Sequence, residues 1–237
     1  MSQSNITVVL IHGAFAENGG WNGVIERLTH NGVRAFAVAN PLRSVTGDAE
    51  YVADVVRGVD GPVVLVGHSY GGVVITQAAE SADNVQALVY VSAFAPDTGE
   101  SAAGLTALYP GSTLGEAVSG VALSSGETDL TIRTELFHQQ FCADVDAATA
   151  ALMAATQRGL SDRALNGPLA ISAPGWRRLP SWFVYGGADR NIPSAAIAFF
   201  AERAGSRGTT VVAEASHAIA VSQPDVVTRT ILAAIAG

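Results

Sequence analysis

Short, continuous runs of apolar residues recur along the first part of the chain. Ile6–Ile11 is a β-branched run typical of a strand buried on both faces of a parallel sheet. Val63–Val66 and Val85–Val91 repeat that pattern. Between them, apolar residues recur at helical spacing from Trp21 to Leu28 and from Val52 to Val59. Strands that alternate with helices predict βαβ units and a mostly parallel sheet.

This alternation fails between about Pro96 and Trp176 and then resumes with Ser181–Tyr185. Within the gap, 97–126 is rich in Gly, Ser, Thr and Ala, and 130–160 has a helical pattern in two or three pieces. We therefore predict an α/β core formed by residues 1–95 and 177–237, with residues 96–176 inserted as a helical cap.

Composition narrows the class of protein. The chain has 237 residues, 49% of them hydrophobic, and a net charge of −8 with no lysine, so nucleic-acid binding is not expected. No apolar run is long enough to span a bilayer. Cys142 is a single cysteine without a disulfide or metal-ligand companion. Met1–Asn5 lacks the features of a signal peptide, so we expect a cytoplasmic protein without metal, cofactor, nucleic-acid or membrane partners.

The strongest chemical motif is Gly67-His-Ser-Tyr-Gly71. It matches G-x-S-x-G between a buried strand and a helix-compatible run, the setting of a nucleophile elbow. The small residues Gly67 and Gly71 permit the tight turn, and the following helix N-terminus favours an oxyanion. A phosphate-binding loop would need a different glycine pattern, which is absent. The motif therefore predicts Ser69 as a nucleophile.

A serine hydroxyl needs a base and an acid that orients the base. His217 follows the last strand, and Asp189 follows the strand at 181–185, so the chain order Ser69, Asp189, His217 is that of the α/β hydrolases. Asp97, after the strand that ends near Val91, is the alternative acid.

Two backbone N–H groups should form the oxyanion hole. We expect one from Tyr70, which follows the nucleophile, and one from the loop after the first strand, with Ala14 preferred and Phe15 second. The Phe15 side chain is either a wall of the substrate pocket or a core aromatic beneath the loop.

Four segments together resemble the α/β-hydrolase superfamily: His-Gly-Ala-Phe after the first strand, Gly-His-Ser-Tyr-Gly-Gly, Gly-Gly-Ala-Asp-Arg and Ser-His-Ala. The likeness covers the chain outside the cap and is greatest to small bacterial esterases related to plant methylesterases and hydroxynitrile lyases. The resemblance implies a sheet of about six strands flanked by helices and cofactor-free hydrolysis of a carboxylic ester.

The lyases of that group differ at two positions. They carry threonine where this chain has Gly13, and lysine where it has Ala218. Related enzymes that attack through an aspartate at the elbow are also disfavoured, since this chain has Ser69. The expected reaction is hydrolysis of a small, largely apolar ester, thioester or lactone through an acyl-enzyme. A hydroxynitrile-type lyase and a small-molecule receptor on the same fold are the alternatives.

The cap should set the substrate preference, because variable loops carry function. Its aromatic and Met side chains are candidates to roof an apolar pocket, and we name Trp176, together with Phe15, as pocket residues. The expected partner is a small-molecule substrate, and the protein is expected to be a monomer or a homodimer.

Overall fold

The computed structural model describes residues 6–237. The expectation that no signal peptide precedes the first strand rests on Met1–Asn5 and lies outside the described residues. In the described part of the chain, no helix combines the length and the hydropathy needed to cross a membrane.

A six-stranded, wholly parallel sheet forms the centre of the molecule, with strand order β2-β1-β3-β4-β8-β9. This confirms the α/β-hydrolase fold with about six strands. The strands are β1 (Thr7–Ile11), β2 (Arg34–Val38), β3 (Val63–His68), β4 (Val85–Val91), β8 (Ser181–Gly186) and β9 (Gly208–Val212).

Helices cover both faces of this sheet and bury its alternating side chains. Val8 and Leu10 of β1 point into one apolar cluster, whereas Val9 and Ile11 point into the other. Burial on both faces explains why β1, β3 and β4 are nearly continuous apolar runs. The core helices are α1 (Asn22–His30), α2 (Val45–Arg57), α3 (Gly71–Ala78), α9 (Ser194–Arg203), α10 (Ile219–Ser222) and α11 (Pro224–Ala236).

Residues 96–176, which we call the cap segment, run between β4 and β8. They form α4 (Ala102–Ala107), α5 (Leu114–Ala117), β5 (Val118–Ala122), β6 (Thr128–Ile132), α6 (Thr134–Phe141), α7 (Ala147–Thr156), β7 (Leu160–Ser161) and α8 (Asp162–Asn166). The helices were expected, but the three-stranded antiparallel sheet β5-β6-β7 was not.

The physical reason for that difference is exposure. Residues of β5 are mostly exposed, so the strand shows none of the continuous apolar pattern of the core strands. A turn joins β5 to β6, with Gly126 at φ +87° and a hydrogen bond from Leu123 N–H to the Glu127 carbonyl (2.8 Å). Leu130 and Leu160, expected at the ends of a helical region, instead pair across β6 and β7.

The cap segment is packed onto the core without a separate hydrophobic centre. Cap side chains such as Leu105, Ile132, Phe137 and Phe141 belong to the same buried cluster as Val73 of α3. The carboxyl ends of the core strands therefore lie beneath a tightly packed cover.

Candidate functional site

Ser69 lies in the sharp turn between β3 and α3. Its φ is +54°, a left-handed conformation that is strained for a residue with a side chain. The turn is crowded: a Cβ on Gly67 would lie 2.5 Å from the Gly71 carbonyl oxygen, and one on Gly71 would lie 2.5 Å from the Ile11 carbonyl oxygen. Strain at a serine in this setting is the geometry of a nucleophile elbow.

Asp189 and His217 meet at the same edge of the sheet, from the loops after β8 and β9. His217 Nδ1 lies 2.7 Å from Asp189 Oδ2, and both side chains are almost completely buried. The other carboxylate oxygen accepts the backbone N–H groups of Asn191 (2.8 Å) and Ile192 (3.0 Å). Three donors therefore fix this carboxylate, and Nδ1 of the imidazole carries the proton.

The far ring nitrogen of His217, Nε2, has no hydrogen-bond partner among the described residues. It is buried, and Ser69 Oγ and Nε2 are not hydrogen-bonded here. Serine and histidine in such sites commonly tighten only when substrate binds. The Ser69 turn and the His217 loop are nevertheless in contact. His68 Nε2 donates to the His217 carbonyl (3.0 Å), and the centroids of the two imidazole rings lie 4.7 Å apart.

The oxyanion loop lies directly against the elbow at Gly13. A Cβ there would lie 2.6 Å from the His68 carbonyl oxygen, 2.6 Å from Ser69 Cβ and 3.1 Å from Tyr70 N. Only glycine permits this approach, which brings the next residue, Ala14, beside the elbow. The structure thus brings together the two loops expected to supply the oxyanion hole.

The donors can now be distinguished. Phe15 N–H donates to the Arg158 carbonyl of the cap segment (3.0 Å), so it is not available to an oxyanion. The N–H groups of Ala14 and Tyr70 have no acceptor within residues 6–237. This favours Ala14 over Phe15 as the second donor. The Phe15 ring is buried in the shared core cluster.

A buried hydrogen bond that the sequence did not indicate holds the Tyr70 side chain in place. Its hydroxyl donates to Asp48 Oδ2 (2.9 Å), and Asp48 Oδ1 accepts Arg43 N–H (3.0 Å). Burial, followed by the neighbouring Asp48 carboxylate, raises the pKa of Tyr70, and burial also raises the pKa of Asp48. Asp48 and Tyr70 are 22 positions apart, and no local motif links them.

Two further histidines, His12 and His68, brace these loops. His12 Nδ1 donates to the Gly13 carbonyl (2.9 Å), and its Nε2 accepts Asn40 N–H (3.0 Å). Burial lowers the pKa of His12 to about 4. Burial, and then the nearby His217, hold the pKa of His68 well below its ordinary value. Both are neutral structural groups near neutral pH.

Trp176 contacts a different part of the molecule from the triad residues. Its indole N–H donates to the Pro96 carbonyl (2.8 Å), and its ring packs against the Arg177 and Arg203 guanidinium groups. These contacts anchor the two ends of the cap segment where it joins the core. The place of Trp176 in a substrate pocket stays a prediction.

The small cavity beside the His217 loop has other walls. It holds about 20 Å³, room for about one water molecule. The side chains around it include Ala16, Trp21, His68, Phe141, Met153, Ala218 and Val221. Its lining is mainly apolar, and the cap contributes Phe141 and Met153.

Asp97, the alternative acid, forms an ion pair with Arg177 at 2.5 Å and shows no contact with His217. Burial acts to raise the pKa of Asp97, but the hydrogen bonds from Arg177 and Thr98 and the nearby arginine charges together outweigh burial and lower it. The geometry therefore favours Asp189 as the partner of His217. Across residues 6–237, no group of three or more His, Cys, Asp or Glu side chains is arranged to hold a metal ion.

The fold, the elbow and the Asp–His pair define a class. The family profile described as "Alpha/beta hydrolase family" matches residues 8–230, and the chain belongs to this family. Among curated proteins, it is 36% identical over 125 residues to a carbendazim hydrolyzing esterase of Nocardioides sp. (strain SG-4G). That alignment covers 43% of this chain and 46% of the esterase, so it spans about half the length of that relative.

Solved structures resemble this chain over nearly its whole length. Polyneuridine aldehyde esterase is 20% identical, with a TM-score of 0.83 over 99% of this chain and 100% of that one. A methylesterase protein, MES16 from Arabidopsis, is 16% identical, with a TM-score of 0.81 over 98% of this chain and 99% of that one. At such identities the likeness establishes the fold.

Proposed function

We propose that this protein hydrolyses a small, largely apolar carboxylic ester, thioester or lactone through Ser69, His217 and Asp189. The single observation that carries the proposal is the buried Asp189–His217 pair, with Asp189 Oδ2 and His217 Nδ1 2.7 Å apart. The other ring nitrogen of His217, Nε2, has no hydrogen-bond partner in the described part of the chain, and the His217 loop is hydrogen-bonded to the strained Ser69 turn. The names of the similar esterases support the same class of substrate.

In the first half of the reaction, Ser69 Oγ attacks the carbonyl carbon while His217 Nε2 accepts the hydroxyl proton. The carbonyl oxygen becomes an oxyanion, which the N–H groups of Ala14 and Tyr70 stabilise. When the tetrahedral intermediate collapses, the C–O bond to the alcohol breaks and His217 returns the proton to the alcohol. Asp189 stabilises the imidazolium throughout.

In the second half, water attacks the acyl-enzyme and gives a proton to His217. Collapse of that intermediate breaks the bond to Ser69, whose oxygen recovers the proton, and the carboxylic acid leaves. The mainly apolar side chains beside the His217 loop support an uncharged substrate.

The lyase alternative has less support. With the present backbone, the Cβ of a threonine at position 13 would lie only 2.6 Å from Ser69 Cβ, which is too close. Ala218, which follows His217, is buried and supplies no positive charge for a departing cyanide. Both observations support the esterase over the lyase.

The experiment measures turnover of p-nitrophenyl acetate and longer acyl homologues, and cyanide release from mandelonitrile, on one preparation near neutral pH. We expect ester hydrolysis that Ser69→Ala removes, and no cyanide above the uncatalysed rate. Cyanide release that depends on Ser69, without ester turnover, would establish the lyase instead. Saturable binding of these esters without turnover would indicate a receptor.

A further inference from the structure

The last turn of α6, in the cap segment, contacts both loops that carry the Asp189–His217 pair. Gln140 is only 7% exposed, and its amide is fully used. Oε1 accepts the Thr113 hydroxyl (2.8 Å), while Nε2 donates to the Arg190 carbonyl (2.9 Å) and to Asn191 Oδ1 (2.8 Å). Both amide protons of this cap residue therefore point into the loop after β8.

That loop is the one that fixes the carboxylate. Arg190 and Asn191 directly follow Asp189, and Asn191 N–H donates to Asp189 Oδ1 (2.8 Å). The peptide that orients the carboxylate is thus itself held by Gln140. Thr113 N–H donates to the same Arg190 carbonyl (3.0 Å), so the cap binds the loop from two neighbouring groups.

The next residue, Phe141, holds the histidine loop. Its carbonyl accepts Ala218 N–H (3.0 Å) and the Ser216 hydroxyl (3.4 Å), the residues on either side of His217. Its ring lies edge-on to the imidazole, with centroids 5.0 Å apart. The consecutive cap residues Gln140 and Phe141 therefore contact the Asp189 loop and the His217 loop, respectively.

We propose that Gln140 is a positioning residue for the Asp189–His217 pair. Its hydrogen bonds go to Thr113, Arg190 and Asn191 and not to the Ser69, Asp189 or His217 side chains. It acts by holding the Arg190–Asn191 peptide, whose N–H donates to Asp189. This inference rests on the proposed role of the pair in ester hydrolysis. The cap thereby contributes to the chemical step.

The chain contains a matched control in Gln157. Its Oε1 accepts Ile132 N–H (2.9 Å), and its Nε2 donates to the carbonyls of Ile132 (2.9 Å) and Ala154 (3.1 Å). Gln140 and Gln157 are thus the same residue type in the same segment with three amide hydrogen bonds each. Only those of Gln140 reach a loop of the candidate active site.

The test compares Gln140→Met with Gln157→Met, changes that keep side-chain length and remove the hydrogen bonds. For Gln140→Met we expect kcat to fall by about 10- to 100-fold with KM changed by less than about twofold, since small misplacements of reacting groups cost rates of this order. Gln157→Met should keep kcat, although both variants lower Tm. Gln140→Ser serves if Gln140→Met does not fold.

A second readout does not depend on turnover. The His217 Nδ1 proton, hydrogen-bonded to Asp189, should give a strongly deshielded NMR signal that is assigned by its loss in His217→Gln. We expect this signal to broaden or vanish in Gln140→Met and to persist in Gln157→Met.

Equal kcat and an unchanged signal in the two variants would overturn the inference. If the native protein hydrolyses none of the esters but the signal responds as expected, the positioning role stands and the proposed function fails.

Discussion

The α/β core and the cap segment share one hydrophobic cluster but contribute differently to the candidate site. The core supplies the proposed reacting groups, all at or after the carboxyl ends of strands. The cap supplies hydrogen-bond partners for the loops between them, through the Arg158 carbonyl, the Gln140 amide and the Phe141 carbonyl. The contrast suggests that chemistry and its alignment are divided between two parts of the chain.

The largest expected difference is between two aspartates, one in a core loop and one at the start of the cap segment. Asp189→Asn should lower kcat by about 10⁴-fold, because the amide leaves the wrong imidazole tautomer facing Ser69. Asp97→Asn removes only the ion pair with Arg177 and should leave kcat nearly unchanged. Steady-state kinetics on p-nitrophenyl acetate compare the two, and reversed effects would place the acid at Asp97.

A pair of glycines tests the same contrast at the backbone. Gly13→Ala forces the oxyanion loop away from the elbow and should lower kcat by about 10²- to 10³-fold, the cost of losing one oxyanion donor. Gly115 of α5 faces open space, with nothing within 4 Å of an added Cβ. Gly115→Ala should therefore leave kcat intact and raise Tm slightly. Unchanged kcat in Gly13→Ala would remove Ala14 from the oxyanion hole.

The next prediction concerns the core alone and its dependence on pH. Burial depresses the pKa of His12 from 6.5 to about 4, so the unfolded chain binds this proton more readily than the folded one. Stability from this group is present above pH 6.5 and is lost as the pH falls towards 4. Over that window, a shift of this size corresponds to about 3 kcal/mol of unfolding free energy.

Urea unfolding of the native protein, His12→Gln and His30→Gln at several pH values measures this effect. The His12 variant should lose part of the pH dependence, and the same substitution at exposed His30 is the control for a change of residue type at the surface. Parallel curves for the native protein and His12→Gln would show that His12 is not the depressed group.

The smallest expected effect separates two buried tyrosine hydroxyls. Tyr70 donates to Asp48, and Tyr90 pairs with Thr76 Oγ1 (2.8 Å). Each Tyr→Phe change should cost about 1–2 kcal/mol of stability. Only Tyr70→Phe should also lower kcat, by about fivefold, equivalent to about 1 kcal/mol of transition-state stabilisation. Equal kcat in the two variants would make the Asp48 contact purely structural.

The same contrast explains what the sequence could predict. Strands buried on two faces carry a dense apolar signal, so β1, β3, β4 and β8 were recognisable, and the motifs at their ends identified the loops. The cap strands are short and exposed, and their hairpin signal, a Ser-Ser-Gly turn before alternating Leu130 and Ile132, is weak.

Contacts distant in sequence were not predictable from local patterns. Nothing near Asp48 or Gln140 indicates that one supports Tyr70 and the other the Asp189 loop, because these contacts join residues 22 and about 50 positions apart. The packing of Trp176 against the Arg203 side chain of a distant core helix was likewise not predictable, and its expected place in the substrate pocket stays a prediction.

The most direct test of the central claim is to map the site of covalent modification by a fluorophosphonate with peptide mass spectrometry. We expect a single adduct, on Ser69, formed at a rate that Asp189→Asn lowers strongly and Asp97→Asn leaves nearly unchanged. An adduct on a different serine, or no adduct on Ser69 in a preparation that hydrolyses p-nitrophenyl acetate, would contradict it.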